Sequence, residues 1–202
     1  MKQTLLIITV LILIVGCSND AEAYFNLGKA DYKQGNYSKA IESYEKAIEL
    51  YPDNSSVYIN LGVAYNGQGN YTKAIESYEK AIELYPDFSE AYFNLGNAYN
   101  GQGNTTKAIE SYEKAIEVDP DFSRAYFNLG NADYKQGNYS KAIESYEKAI
   151  EIDPDNAMAY INLGIAYYKQ GNPELRISNY KKAARLGNND AQDWLRENGY
   201  DW

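Results

Sequence analysis

The chain has 202 residues, with 28 acidic against 19 basic side chains, and its net charge of −9 leaves no broad basic surface for nucleic acid. It has no histidine and a single cysteine, Cys17, so the commonest general base, the usual nucleophile pairings and every His/Cys zinc site are missing. No spacing of the remaining Asp, Glu, Lys and Tyr residues nominates a catalytic set, a metal site or a cofactor, and the chain reads as a non-enzyme.

Residues 1–16 open with Met-Lys-Gln and continue as an apolar run from Leu5 to Val15 broken only by Thr9. A short basic start followed by such a run is a secretory signal, and the run falls short of the ~20 residues a membrane-crossing helix needs. Its end, Leu13-Ile14-Val15-Gly16-Cys17, resembles the bacterial lipobox. That resemblance implies cleavage after Gly16 and acylation of Cys17, which becomes the mature N-terminus, with 17–20 as a lipidated linker. Two or more acyl chains give stable anchoring. Ser18 stands where inner-membrane retention favours Asp, so the periplasmic face of the outer membrane is the expected location.

From Ala21 onward a period of 34 residues takes over. The string Lys-Ala-Ile-Glu-Ser-Tyr-Glu-Lys-Ala-Ile-Glu occurs at 39–49, 73–83, 107–117 and 141–151. Five units tile 21–190, namely 21–54, 55–88, 89–122, 123–156 and 157–190. Each carries two helical patterns: Tyr24, Leu27, Gly28 and Asp31 in the first, Ala40, Ile41, Tyr44, Ala47 and Ile48 in the second. Gly35-Asn36 and its copies at 69–70, 103–104, 137–138 and 171–172 predict a helix-ending glycine beside an N-capping asparagine. Pro173 adds a proline at the first helical position. Pro52, Pro86, Pro120 and Pro154 close the second helices, and the Asp after each is expected to favour the N-terminus of the next helix. Small residues at Gly28, Ala40 and Ala47 mark where two helix axes come close.

Tyr24, Leu27, Gly28, Ala40, Tyr44, Ala47 and Pro52 resemble the tetratricopeptide-repeat (TPR) signature, and the match extends over the 170 residues of 21–190. The resemblance implies an all-α fold, a right-handed α-solenoid of five TPR helical hairpins whose first helices line a concave groove, with no unit stable alone. In the fifth unit Arg176 replaces a small residue and Gly187-Asn188 replaces the proline turn, so its last interface is expected to be degraded. Residues 183–195 resemble the Sel-one-like relatives of TPRs. Ala191, Trp194 and Leu195 are expected to cover the end of the stack, with 191–202 as cap and tail.

In such a fold the groove comes from positions two, five, six, nine, twelve and thirteen of each unit. Position six is an asparagine ladder, Asn26, Asn60, Asn94, Asn128 and Asn162, and a side-chain amide both donates to and accepts from an extended peptide backbone. Position five gives Phe25, Ile59, Phe93, Phe127 and Ile161 as apolar anchors. Position thirteen gives Lys33, Gly67, Gly101, Lys135 and Lys169, a groove more basic at its ends than in its middle. The same amides and aromatics also serve packing in repeats of this kind. The Lys-based carboxylate clamp of some TPR cochaperones is disfavoured, because Phe25, Ile59, Glu90 and Asn94 occupy the positions it needs. Glu42 and Lys46, with their copies, are expected to form i, i+4 pairs on a solvated convex face. Asp31 and Asp133 stand where the other units have Tyr65, Tyr99 and Tyr167. Either Tyr32 and Tyr134 fill that space, or each Asp is half-buried beside a partner.

The function expected is a lipid-anchored envelope scaffold that holds an extended segment of a partner protein in its groove. A self-associating spacer, built by stacking repeat ends between copies, is the alternative. Sugar binding by the surplus tyrosines is a minor variant.

Overall fold

The second helix of every hairpin starts at the same point, because a glycine in left-handed conformation ends the first helix and breaks the ladder. Gly69 has φ +75° and Gly137 φ +82°, values that L side chains rarely adopt. In these turns Asn70 N–H donates to Tyr65 O and Asn138 N–H to Asp133 O, both at 2.9 Å, so the carbonyls the helix leaves open are used. A computed structural model describes residues 20–202. Among them lie eleven helices and no strand, the all-α solenoid class of helical hairpins with a capping helix. The segment 1–19, including the signal, the lipobox and Cys17, lies outside the described residues.

The chain divides between Gln102 and Gly103 into two compact units. The first holds α1 (20–33), α2 (Tyr37–Leu50), α3 (Ser55–Gly67), α4 (Tyr71–Leu84) and α5 (Ser89–Gly101). The second holds α6 (Thr105–Val118), α7 (Ser123–Gln136), α8 (Tyr139–Ile152), α9 (Ala157–Lys169), α10 (Pro173–Arg185) and α11 (Asn189–Glu197). Successive helices pack on one another within each unit, and α3 also touches α5, as α7 touches α9.

Much of the tyrosine surplus is core. Tyr44, Tyr78 and Tyr146 are 1% exposed, and each ring lies on the glycine of the facing helix. A Cβ at Gly28, Gly62 or Gly130 would stand 2.5, 2.6 or 2.6 Å from the Cε1 of that ring. The glycine is required by close approach rather than by backbone conformation, and the small residues flagged in the sequence mark this contact. Burial pushes the Tyr44 phenol up to about 12 and the Tyr78 and Tyr146 phenols up as well.

A second set of tyrosines ties one hairpin to the next. Tyr65 O–H donates to Glu45 Oε1 at 2.8 Å, Tyr99 O–H to Glu79 Oε1 at 3.2 Å and Tyr167 O–H to Glu147 Oε1 at 2.6 Å. Burial, then the Glu45 bond, takes the Tyr65 phenol to about 12; for Tyr167 the Glu147 bond is the larger cause of the same value. Gln side chains one turn on add Gln68 Nε2 to Ser38 Oγ at 2.9 Å and Gln170 Nε2 to Ser140 Oγ at 2.8 Å.

Several local expectations are corrected. Asn70 and Asn104 cap, accepting from the N–H groups of Lys73 and Lys107, but Asn36, Asn138 and Asn172 do not. Asn138 instead donates to Asp133 Oδ1 and Gln136 Oε1, both at 3.3 Å, and Asn36 donates to Gln34 Oε1 at 3.4 Å. Asp at position eleven thus goes with loss of the cap. The Asp after each proline sits in the turn rather than in the next helix. Asn54 and Asn156 cap α3 and α9, while Phe88 and Phe122 stand at the cap positions of α5 and α7 and make no side-chain cap. Glu42 and Lys46 pair at 2.9 Å as expected, but Lys80, Lys114 and Lys148 reach forward to Glu83, Glu117 and Glu151 at i, i+3. Both spacings are neighbours on a helix surface, and pairs this exposed contribute little.

Asp133 answers the question left by position eleven. It is 4% exposed, and Asn138 is its partner, while the Tyr134 ring packs on Tyr139 at 5.3 Å and joins the core beside it. Burial raises the carboxyl above its ordinary value; Asn138 and Lys141 oppose this and Glu144 adds to it. A carboxyl raised in the folded state binds its proton more tightly there than in the unfolded chain. Its stabilisation is therefore complete below the unfolded value of about 4 and is lost as pH rises through the folded value. Asp133→Asn keeps the Asn138 bond and removes that loss. We expect it to raise stability at pH 7 by roughly 1 kcal/mol and to flatten the pH dependence above pH 4 in urea titrations.

The final hairpin also departs from expectation. Arg176 does not degrade its interface: the guanidinium carbon lies 4.3 Å from the Trp194 ring centroid, 4.9 Å from Tyr168 and 5.2 Å from Tyr180. Its Nε is buried without a hydrogen-bond partner, so ring faces take the place of an acceptor. Ala191 and Leu195 of α11 are fully buried against the last hairpin, with Trp194 packed beside them as expected of a cap. Asn188 caps α11 by accepting from Ala191 N–H at 2.9 Å.

Candidate functional site

The position-six asparagines do not form a uniform ladder. Asn26 is exposed, whereas Asn60, Asn94, Asn128 and Asn162 are half-buried. Asn60 Nδ2 donates to the Ser56 carbonyl of its own helix at 2.8 Å, which takes one of its two amide N–H groups from the groove. Asn128 hydrogen-bonds the Tyr112 phenol, lowering a value that burial has raised to about 12. Asn162 Nδ2 donates to Asn131 Oδ1 at 2.8 Å, and Tyr146 O–H donates to the same oxygen at 2.8 Å.

Position five is largely core. Phe93 and Ile59 are each 7% exposed, and Ile161 is buried too. Phe25 and Phe127 are half-buried, with their rings 6.0 Å from those of Tyr44 and Tyr146. These side chains serve packing because the tyrosine opposite each hairpin glycine needs a second wall. Phe93 is therefore not an open anchor, whereas Phe25 and Phe127 keep part of their rings exposed.

Position thirteen splits in two. Lys33, Lys135 and Lys169 are exposed, and among the described residues none of them forms an ion pair. Gly67 and Gly101 instead lie under the rings of Tyr37 and Tyr71 from the preceding hairpin. The glycines leave room for those rings, which the column alone did not reveal.

In the second unit these residues converge. A cavity of about 100 Å³ is lined by Asn131, Tyr134, Tyr146, Asn162 and Ile165. Asn128, Asn131 and Lys135 stand at i, i+3, i+7 on α7, and Asn162, Ile165 and Lys169 do so on α9, so each helix offers a stripe that opens on asparagine and ends in lysine, with Ile165 as its apolar middle on α9. With Asn131 Oδ1 already accepting twice, the Asn131 amide nitrogen and the Asn162 amide oxygen stay available, one donor and one acceptor. Asn131 was legible as position nine. Its bond to Tyr146 was not, since it requires asparagine at nine and tyrosine fifteen residues on, and only contact geometry pairs them. In α3 the position-nine residue is Val63, so Tyr78 has no such acceptor. We expect Tyr146→Phe to cost about 1 kcal/mol and Tyr78→Phe close to nothing in matched urea titrations.

Helical hairpins in series, closed by the same tyrosine-on-glycine contact in one repeat after another, make a helical-repeat scaffold of the kind that holds other proteins. The chain belongs to the tetratricopeptide-repeat family. Models described as TPR repeat match residues 96–137 and 130–171, and models described as Tetratricopeptide repeat match 25–87, 77–110 and 157–190. Among solved structures, the MamA protein is 32% identical, with a TM-score of 0.75 over 83% of this chain and 91% of its own. At 22% identity the fold alone is shared with two others. One is Pseudomonas aeruginosa pilF, TM-score 0.78 over 89% of this chain and 82% of its own. The other is YrrB, described as a TPR protein with an unusual peptide-binding site, TM-score 0.70 over 88% of this chain and 92% of its own. No curated protein sequence matches.

Proposed function

We propose that the chain is a lipid-anchored cell-envelope scaffold that holds an extended segment of a partner protein along its first-helix face. The observation that carries the groove reading is the donor and acceptor left by the Asn131–Asn162–Tyr146 cluster at the cavity between α7 and α9. One peptide unit offers a carbonyl to the first amide and an N–H to the second, so the pair grips backbone without selecting side chains. Lys135 and Lys169 add positive charge beside it. The likeness in fold to a TPR protein described as having an unusual peptide-binding site supports a peptide ligand.

The anchor rests on the sequence Leu13 to Cys17, and Ser18 favours the outer membrane's periplasmic face. Cys17→Ser is expected to abolish incorporation of labelled fatty acid; retained label overturns the anchor.

For the groove, the full chain and its Asn131→Ala, Asn162→Ala variant are immobilised side by side, and what each retains from a solubilised envelope extract is identified by mass spectrometry. A protein held by the wild type and lost from the variant, with far-UV circular dichroism unchanged, is the expected result. Equal retention overturns the groove assignment.

A further inference from the structure

The face that α1 turns away from α2 is uncovered in the described chain. Leu27 is 51% exposed, whereas its counterparts Leu61, Leu95, Leu129 and Leu163 are 7, 8, 9 and 5% exposed. Ala23 and Ala30 on either side are exposed too, while Val57 and Ala64 at the same positions of α3 are buried. In α3 that stripe belongs to a helix packed on the preceding α2. At the last hairpin, by contrast, α11 covers α10 with Leu195, Ala191 and the Trp194 ring over Arg176. So the side of α10 that a second copy's α1 would need is already taken by α11.

We propose that this α1 face is the interface of a closed dimer, in which α1 of one copy packs antiparallel on α1 of a second about a two-fold axis at Leu27. The side chains on and beside the stripe fit this symmetry. Asp20, Ala23, Leu27 and Ala30 follow the 3-4-3 spacing of a helix seam, and Gln34 stands four residues on in the turn that follows α1. Reversed about Leu27, Asp20 lies opposite the second copy's Gln34, Ala23 comes within a residue of its Ala30, and Leu27 lies opposite its own equivalent.

The flanks match as well. Glu22 and Lys33 lie on one flank, and antiparallel pairing brings each Glu22 within a residue of the second copy's Lys33. On the other flank Tyr24 comes within a residue of the second copy's Asp31. The contacts are a Gln amide donating to a carboxylate, a phenol donating to a carboxylate and an ion pair, each made twice. Asp20, Glu22, Lys33 and Gln34 are exposed and Tyr24 and Asp31 half-exposed, with the seam at their centre. Asn36 engages only the oxygen of Gln34, leaving its amide nitrogen to donate. Because the same patch meets itself, association stops at two copies. The seam is one helix of 14 residues, about 21 Å long, which places the contact among the weaker, reversible kind.

Leu27→Cys in the otherwise unaltered full chain, oxidised in the cell, is expected to give a covalent dimer well above the level of the unaltered chain, whose one cysteine is Cys17. Ala23→Cys and Ala30→Cys chains with different tags are expected to cross-link when expressed together, and neither with itself. Leu27→Glu, at a site too exposed to unfold the helix, is expected to lower the weight-average mass in a sedimentation concentration series with helicity unchanged.

Cross-linking no higher than in the unaltered chain overturns the dimer, and means that residues 1–19 or the bilayer cover the face. A ladder of higher products overturns the closed symmetry, and Ala23→Cys linking to itself overturns the antiparallel register. The Asn131→Ala, Asn162→Ala variant is expected to cross-link normally, so failure of the groove and failure of the dimer remain separate results.

Discussion

Tyr78→Ala is expected to cost about 3–5 kcal/mol, because it empties a site where a ring 1% exposed fills the space above Gly62. Gly62→Ala is expected to cost about 1–3 kcal/mol, against the ~1 kcal/mol that alanine ordinarily gains over glycine inside a helix. The reversal of sign follows from geometry: the new methyl would meet Tyr78 Cε1 at 2.6 Å, and the ring has no free volume to enter. In the Tyr78→Ala background the same glycine substitution has nothing to strike and becomes neutral or favourable. The double-mutant cycle in urea should return a coupling of at least about 1 kcal/mol. Additive effects would show that the ring and the glycine do not depend on each other.

Trp194→Ala is expected to cost about 3 kcal/mol, since the indole is the nearest ring to the Arg176 guanidinium and packs edge-on against Tyr180 at 4.6 Å. A counterintuitive companion follows. Arg176→Ala restores the residue type that the other units carry at that position, as in Ala142, yet is expected to destabilise by about 1 kcal/mol through loss of the ring contacts. Both are read as a lower midpoint in thermal unfolding, with faster amide exchange in α11 expected for Trp194→Ala. A gain in stability from Arg176→Ala would mean that the cation is strained against the rings rather than held by them.

The hairpins, their turns and the capping helix could be read from the chain because the period of 34 residues repeats every local signal in phase. Gly35 and its copies, the closing prolines and the Tyr44-type positions all carried their meaning in identity and spacing. Asn36 and Asn70 show where that stops: the two Gly-Asn turns look alike, yet only Asn70 caps. Arg176 misled for a related reason, as a departure from the repeat looked like damage until the neighbouring rings were in place.

The candidate site was legible as columns but not as contacts. Asn60 and Asn162 share a position, and one turns to its own backbone while the other meets Asn131, because lysine (Lys29) occupies position nine of α1 and asparagine that of α7. Phe93 looked like an anchor since the column gives direction around a helix but not what stands opposite. The Asp133 carboxyl was placed correctly beside two alternatives, and the structure realises parts of both.

Both tryptophans lie in the last nine residues of the chain, Trp194 in α11 and Trp202 in the tail, while all of the 22 tyrosines but Tyr200 are spread along the repeats. Trp194 stacks on Tyr200 at 6.2 Å, and Arg196 lies 5.8 Å from the Trp202 ring, so indole emission is a private reporter of the cap. Phenol absorbance reports mainly on the hairpins. The two optical signals, followed in one titration, tell fraying of the chain end apart from loss of the whole stack without any label.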